Sequence, residues 1–324
     1  MLLIYGATGY TGRLACQHAK DSNLTFQIAG RTQSTLQELS ASLGIPHRVF
    51  DLQNIADNLR DVSVLLNCAG PFPVTAGPLV DACMSSGVHY LDISADIDSY
   101  RTVELKNEDA KRAGVMLLPG CGGSVAMLGC LTAYVVEHAR SVKSIDVALR
   151  ISGSMSRGSA LSAARSVTAQ VLNRVDGELV QADTGNTCNF DFDNDEGMVS
   201  CFPVTLPDLI TLYHSTGVRN IRAFLHVAGN VLPSGDLSGM PDGPDTEERD
   251  ANPYVASAVV EDEDGIGKRG VLHMVNGYTF TAIASVEAAK RVLAGKAEPG
   301  FQTPVQMFGG RFVESVPGSQ LSMM

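Results

Sequence analysis

Short apolar runs recur through the first 120 residues, each ending in small or polar residues and most followed by a stretch with helical spacing. Leu2, Leu3, Ile4 and Tyr5 form the first, and further runs at 26–30, 47–51, 62–69, 89–93 and 115–119 read as strands. A helix follows the first run, and helical periodicity returns at 34–43, 76–86 and 100–113. Strands alternating with helices in this way predict a parallel sheet covered on both faces. Near Ser144 the pattern changes. Longer β-like runs separated by polar insertions predict a mainly antiparallel domain with helices on one face, in which 145–151 alternates as a strand. The apolar stretch 125–136 is too short for the roughly 20 residues of a membrane span and predicts a buried helix. A helix opening at 156–159 and running to about 175, and an amphipathic helix over 279–293, complete the prediction. The closing 315–324, polar and glycine-containing, is expected to be mobile.

The order of elements at the start carries more chemistry than the glycines alone. The first run feeds Gly6-Ala7-Thr8-Gly9-Tyr10-Thr11-Gly12 and then a helix. Such a turn brings backbone N–H groups and the positive end of the helix dipole beside a pyrophosphate, with no side chains in the way. The spacing is GxxGxxG rather than GxGxxG, so the turn is one residue longer before its second glycine. The second strand ends in Arg31-Thr32, where an NAD-binding chain usually places an acid for the ribose 2′-hydroxyl. A guanidinium fork and a hydroxyl there suit a 2′-phosphate. NADP(H) is the expected cofactor, the alternative being Arg31 as a solvated surface charge. Asp51 and Leu52 end the third strand where adenine would lie. The fourth strand stops at Ala69-Gly70-Pro71-Phe72, where small residues and proline bring bare backbone close to the cofactor.

Composition agrees with a globular chain of about two domains: 324 residues, 44% hydrophobic and 18% charged. A net charge of −11 argues against nucleic acid and anionic membrane as partners. The seven cysteines show no CxxC and no paired spacing with histidines, so neither a metal site nor a disulfide framework is expected. With no charged and apolar leader at the N-terminus, a reduced, cytoplasmic setting is the simplest expectation. The acidic stretches 191–196, 242–250 and 261–264 lack calcium-loop spacing and are expected to be solvated loops.

Four motifs in register make a more specific resemblance. Gly6-Ala7-Thr8-Gly9-Tyr10-Thr11-Gly12-Arg13, Ala29-Gly30-Arg31, Asn67-Cys68-Ala69-Gly70-Pro71-Phe72 and Tyr90-Leu91-Asp92-Ile93-Ser94-Ala95-Asp96 resemble the saccharopine dehydrogenase-like NADP-binding family in order and spacing. The resemblance covers roughly residues 1–140 and returns in Ser156-Arg157-Gly158-Ser159 and Gly300-Phe301-Gln302-Thr303-Pro304. It implies an α/β fold, a Rossmann-type doubly wound parallel sheet with an inserted α+β substrate domain. The implied division is 1–120 for the NADP-binding domain, 121–280 for the substrate domain, and 281–324 for a C-terminal helix and segment returning to the first domain. The family includes saccharopine reductases, acting on C=N, and trans-acting enoyl reductases, acting on C=C. Many members carry a GFD-containing segment after the sixth strand and a further aspartate at the start of the long helix. Here Gly120-Cys121-Gly122-Gly123-Ser124 replaces both acids, which argues against a basic amino-acid substrate and for a neutral or acidic carbonyl, imine or enoyl compound.

The hydride acceptor also needs a proton. No tyrosine has a lysine four residues on, which excludes the Tyr-xxx-Lys device of short-chain dehydrogenases. Tyr90, Asp96 and Cys121 are the candidate catalytic residues, with Tyr100 a further one. Cys121 falls at the start of the long helix, where a thiol pKa would drop, although a small residue filling a tight turn is the other reading. Tyr90 and Asp92 can equally be core residues of a buried strand. Arg157 and Ser159, opening a helix, form a candidate anion site for a substrate carboxylate or the cofactor phosphate, or else an ordinary capped helix. His214 and His226 are expected to be packed or at the surface. The expectation is an NADPH-dependent oxidoreductase, an imine or enoyl reductase, binding a small or medium metabolite between its domains. The alternative is a non-catalytic NADP(H)-binding sensor. A small molecule is the expected partner, with no nucleic acid, no membrane span and no metal, and a homodimer is left open.

Overall fold

A computed structural model of the chain describes residues 1–167, 170–229, 237 and 239–324. They divide into two compact units, one of Met1–Gly123 with Thr281–Thr303 and one of Ser124–Phe280 with Pro304–Met324.

The first unit runs β1 (Leu2–Tyr5), α1 (Tyr10–Asp21), β2 (Phe26–Gly30), α2 (Gln33–Leu43), β3 (His47–Val49), β4 (Val64–Asn67), α3 (Phe72–Ser86), β5 (His89–Asp92), α4 (Ile97–Glu104), α5 (Asn107–Ala113) and β6 (Met116–Leu118). A seventh strand, Gly300–Phe301, pairs with β6. The sheet order is Gly300–Phe301, β6, β5, β4, β1, β2, β3, and every pairing is parallel. This is the doubly wound α/β sheet that the alternating pattern implies. β1 and β4 are buried at all four positions, as strands with helices on both faces must be. Two details differ from the sequence reading. The helix expected over 100–113 starts earlier, at Ile97, where Asp96 caps α4 by accepting the Asp98 N–H, and it is interrupted at Leu105 and Lys106, so that α5 follows as a separate helix. The third strand stops at Val49, since the Asp51 side chain accepts the Gln53 N–H and turns the chain.

The second unit comprises α6 (Ser124–Val136), β7 (Val142–Ile151), α7 (Arg157–Val167), β8 (Leu172–Val175), β9 (Glu178–Gln181), β10 (Cys188–Asp191), β11 (Met198–Pro203), α8 (Asp208–Thr216), β12 (Asn220–Val227), α9 (Thr246–Ala251), β13 (Tyr254–Asp262) and β14 (Gly267–Met274). A helix over Gly277–Leu293 follows, of which Thr281 onward belongs to the first unit. The sheet is mixed: β12 and β7 are parallel, while β13, β14 and Gln320–Met323 add antiparallel neighbours. α6 packs against β13 and β14, almost wholly buried, as its unbroken apolar sequence requires. The β10–β11 hairpin covers part of the sheet. Phe190, Phe192 and Cys201 form one buried cluster with Ala148, Phe224, Val255 and Val271.

Three expectations fail in this unit. The helix over 156–175 ends at Val167, and 172–175 is strand β8, paired with β9; residues 168–169 lie outside the described residues. Residues 304–324 join the second unit instead of the first, because Gln320–Met323 hydrogen-bonds to β14. That pairing also orders a tail expected to be mobile. Most residues of the acidic stretches are exposed, as expected, although several of the acids have structural partners: Asp191 and Glu196 pair with Arg269 and Arg150, Asp245 caps α9, and Asp262 Oδ1 accepts the N–H groups of Asp264 and Ile266.

Candidate functional site

The loop from β1 to α1 is shaped by contacts that exclude side chains. Gly6 has φ +78, and a Cβ there would lie 2.6 Å from the Ala69 nitrogen. A Cβ on Gly12 would lie 2.3 Å from the Gly6 carbonyl oxygen. The first glycine therefore lets β1 pass the exit of β4, and the third lets α1 pack on the turn. Gly6 and Ala7 both donate to the Ala29 carbonyl, at 2.9 and 3.2 Å, tying the turn to the end of β2. Gly9 is the N-cap of α1 and has no side chain to occupy the first-turn N–H groups, and that turn holds no acid. The positive end of the α1 dipole thus faces the sheet edge uncapped by any carboxylate or hydroxyl.

At the end of β2, Arg31 and Thr32 are exposed. Arg31 has no ion-pair partner among the described residues, and Thr32 is the N-cap of α2 without a side-chain hydrogen bond to that helix. Both charges at this edge bear on Tyr5: burial raises its phenol pKa, Arg31 lowers it and Asp51 raises it. The Tyr5 ring lies 5.1 Å from that of buried Phe50. Arg31, Asp51 and the glycine turn are thereby gathered around one ring. The donor set fits a phosphorylated ribose, with a guanidinium and a hydroxyl exposed beside an uncapped helix start.

A buried polar chain links the ends of β4, β5 and β6. Asn67 Nδ2 donates to Thr75 Oγ1 and to the Tyr90 hydroxyl, both at 3.2 Å, and Asn67 Oδ1 accepts the Ala69 N–H at 2.9 Å. Thr75 donates to the Ala69 carbonyl at 2.7 Å. The Tyr90 hydroxyl donates to Asp92 Oδ2 at 2.8 Å, and Asp92 Oδ1 accepts the N–H groups of Ser94 at 2.9 Å and Gly120 at 2.8 Å. Burial pushes the Asp92 carboxyl up to about 6, against the lowering effect of those three donors. The chain fixes Ala69, Gly70 and the Pro71 N-cap of α3, with Phe72 as that helix's first residue. Sequence reasoning missed Asn67 and Thr75 as supports. The available signal was an amide ending a buried strand, which needs partners.

The candidate proton donors fare differently. Tyr90 and Cys121 are fully buried, and burial raises both pKa values well above the ordinary range. The expectation of a lowered Cys121 pKa is corrected: α6 begins at Ser124, three residues later, and the Asp92 charge raises the thiol further. Asp96 is partly exposed and caps α4. Tyr100 is buried, its hydroxyl donating to the Ser94 carbonyl at 3.4 Å.

In the second unit, Arg157 Nη2 donates to Asp242 at 2.6 Å, and the Ser156 hydroxyl accepts the Ser159 N–H at 3.1 Å while donating to Ser159 Oγ. Partners within the protein thus take up both groups of the expected anion site. His226 meets the Ser200 carbonyl at 3.0 Å through Nδ1, and His214 lies in the last turn of α8. Asp208, which opens α8, is fully buried. Its Oδ2 accepts from Ser124 Oγ at 3.3 Å, and its Oδ1 has no hydrogen-bond partner among the described residues. Burial pushes this carboxyl up to about 7. Among the described residues no group of three or more His, Cys, Asp or Glu could hold a metal, and no helix is long and apolar enough to cross a membrane.

Comparison with known proteins bears on the first unit. Residues 2–118 match the family described as the saccharopine dehydrogenase NADP binding domain. A human saccharopine dehydrogenase-like oxidoreductase is 27% identical over 146 residues, 37% of this chain and 34% of that protein. A trans-acting enoyl reductase of Mycobacterium ulcerans is 30% identical over 132 residues, 37% of this chain and 32% of that protein. These matches span about a third of each relative's length. Apo saccharopine dehydrogenase (L-Glu forming) of Saccharomyces cerevisiae superposes over 100% of this chain and 99% of its own, with a TM-score of 0.66 at 13% identity, a likeness of fold.

Proposed function

On the premise that residues 2–118 are an NADP-binding domain of the saccharopine dehydrogenase family, we propose that the protein is an NADPH-dependent oxidoreductase reducing a C=N or C=C bond of a small or medium metabolite. The observation that carries the cofactor assignment is the exposed Arg31-Thr32 pair beside a helix start capped by glycine. In this reading the pyrophosphate meets the backbone of Gly6, Ala7, Thr8, Gly9, Tyr10, Thr11 and Gly12, Arg31 and Thr32 take the 2′-phosphate, and Asp51 and Leu52 flank the adenosine. Ala69, Gly70, Pro71 and Phe72 form the backbone wall towards the nicotinamide, which supplies the hydride when bound. Asn67, Thr75, Tyr90 and Asp92 are positioning residues that hold this wall. Asp96, partly exposed at the same edge, is the proton donor of this reading. The test is NADPH consumption with panels of imines and of α,β-unsaturated thioesters. Turnover with either class supports the reading, and no consumption with both opposes it.

One observation favours the second reading, a protein that binds NADP(H) without turnover: Tyr90 and Cys121 are sealed from solvent. NADPH binding without consumption in the same assay would support it.

A further inference from the structure

The β10–β11 hairpin carries a pair of thiols that sequence spacing does not reveal. Cys188 and Cys201 stand directly opposite each other in the antiparallel register, one step before Asn189 opposite Ser200 and two before Phe190 opposite Val199. Directly opposite residues of an antiparallel pair project from the same face, with Cα atoms about 4.5 or 5.5 Å apart according to the hydrogen-bond pattern. Both separations fall within the roughly 4.4–6.8 Å that a disulfide spans. The side chains share one environment: Cys201 is buried in the cluster with Phe190, Phe192, Phe224 and Val271, and Cys188 packs against that cluster while keeping part of its surface open. Of the seven cysteines, all described, the other six are buried. An oxidant in solution therefore reaches Cys188 first.

We propose that Cys188 and Cys201 form a redox-active dithiol that a small disulfide oxidant of the glutathione class converts to a cross-strand disulfide. The Cys188 thiolate attacks one sulfur of glutathione disulfide, forming a mixed disulfide and releasing one glutathione. The Cys201 thiolate then attacks the Cys188 sulfur, forming the protein S–S bond and releasing the second glutathione. Two electrons pass from the protein to the oxidant, and the two thiol protons leave with the departing glutathiones. Burial pushes the Cys201 thiol up to about 12 and raises that of Cys188, where Asp146 raises and Arg222 lowers it. Oxidation is therefore slow at neutral pH and speeds up in alkali. The bond closes the hairpin below Phe190 and Phe192, which cover the sheet, and fixes that cover in place.

The full-length protein is treated with glutathione disulfide at mildly alkaline pH, quenched by alkylation and mapped by mass spectrometry. No Lys or Arg lies between Arg174 and Arg219, so both cysteines share one tryptic peptide, and cleavage at the intervening acids separates them. The expected product is a peptide short of two hydrogens whose halves stay joined until reduction, with a melting temperature a few degrees higher. Cys201→Ser accumulates glutathione on Cys188, whereas Cys188→Ser remains unmodified. A glutathione adduct persisting on Cys188 in the wild type contradicts the proposal, as do seven intact thiols after treatment that modifies Cys201→Ser, or a bond to any other cysteine.

Discussion

Asp92 Oδ1 accepts the backbone N–H of Gly120 at 2.8 Å, so one carboxyl oxygen joins the end of β5 to the loop leaving β6. The same side chain holds Ser94 N–H and the Tyr90 hydroxyl, all without solvent. Asp92→Ala leaves these buried donors without an acceptor, each at a cost of about 1–3 kcal/mol. Denaturant unfolding should show a loss of about 3 kcal/mol or more, with Asp92→Asn recovering part of it through its remaining acceptor. A loss below about 0.5 kcal/mol for Asp92→Ala would mean that the network contributes nothing.

In the proposed function Tyr90 supports the wall without touching substrate. Tyr90→Phe removes one donor and one acceptor from the chain between Asn67 and Asp92 and should cost about 1–2 kcal/mol of stability. NADPH affinity, and any turnover, should remain within a few-fold of wild type. Loss of the general acid itself would cost about 100- to 10,000-fold in rate, so a drop of that size would restore Tyr90 as the proton donor.

Two of the three glycines of the turn, Gly9 and Gly12, should respond unequally. A Cβ at position 12 meets the Gly6 carbonyl oxygen at 2.3 Å, backbone that cannot yield, whereas at position 9 the nearest atom is 3.3 Å away. Gly12→Ala should lose about 1–3 kcal/mol and at least tenfold in NADPH affinity, and Gly9→Ala should keep its stability within about 1 kcal/mol. Equal melting temperatures for the two variants would contradict the packing assigned to Gly12.

Asp208 makes a pH prediction. Its folded pKa, about 7, lies above the ordinary 3.8 of the unfolded chain, so the folded protein holds the proton more tightly. Its contribution to stability is full below about pH 4 and is lost as pH rises through about 7. Asp208→Asn has no such loss. Relative to that variant, the wild type should weaken by about 4 kcal/mol between pH 4 and pH 8, at 1.36 kcal/mol per pKa unit. Urea titrations of both proteins across this range check it, and parallel pH profiles would show that Asp208 does not titrate anomalously.

The first unit was legible because its chemistry is local in sequence. Gly6, Gly12, Arg31 and Ala69 each end or follow an apolar run, and in a parallel sheet the strand ends converge on one edge. The second unit was less legible because long-range pairing decides it. Residues 172–175 form a strand through pairing with Glu178–Gln181, and 320–323 through pairing with β14. Nothing near either segment signals this. Cys121 misled for a related reason: proximity to a helix start was visible, but its burial beside Asp92 was not. Arg157 likewise looked available until Asp242, 85 positions away, proved to be its partner.

The most direct test of the account is calorimetric titration of NADPH and of NADH into the wild type and Arg31→Ala. Hydrogen bonds to a charged group contribute about 1.5–3 kcal/mol, so NADPH should bind the wild type roughly 10- to 100-fold more tightly than NADH, and Arg31→Ala should bind the two alike. Equal affinity for both nucleotides in the wild type would contradict the role given to Arg31, and failure of both to bind would overturn the cofactor site itself.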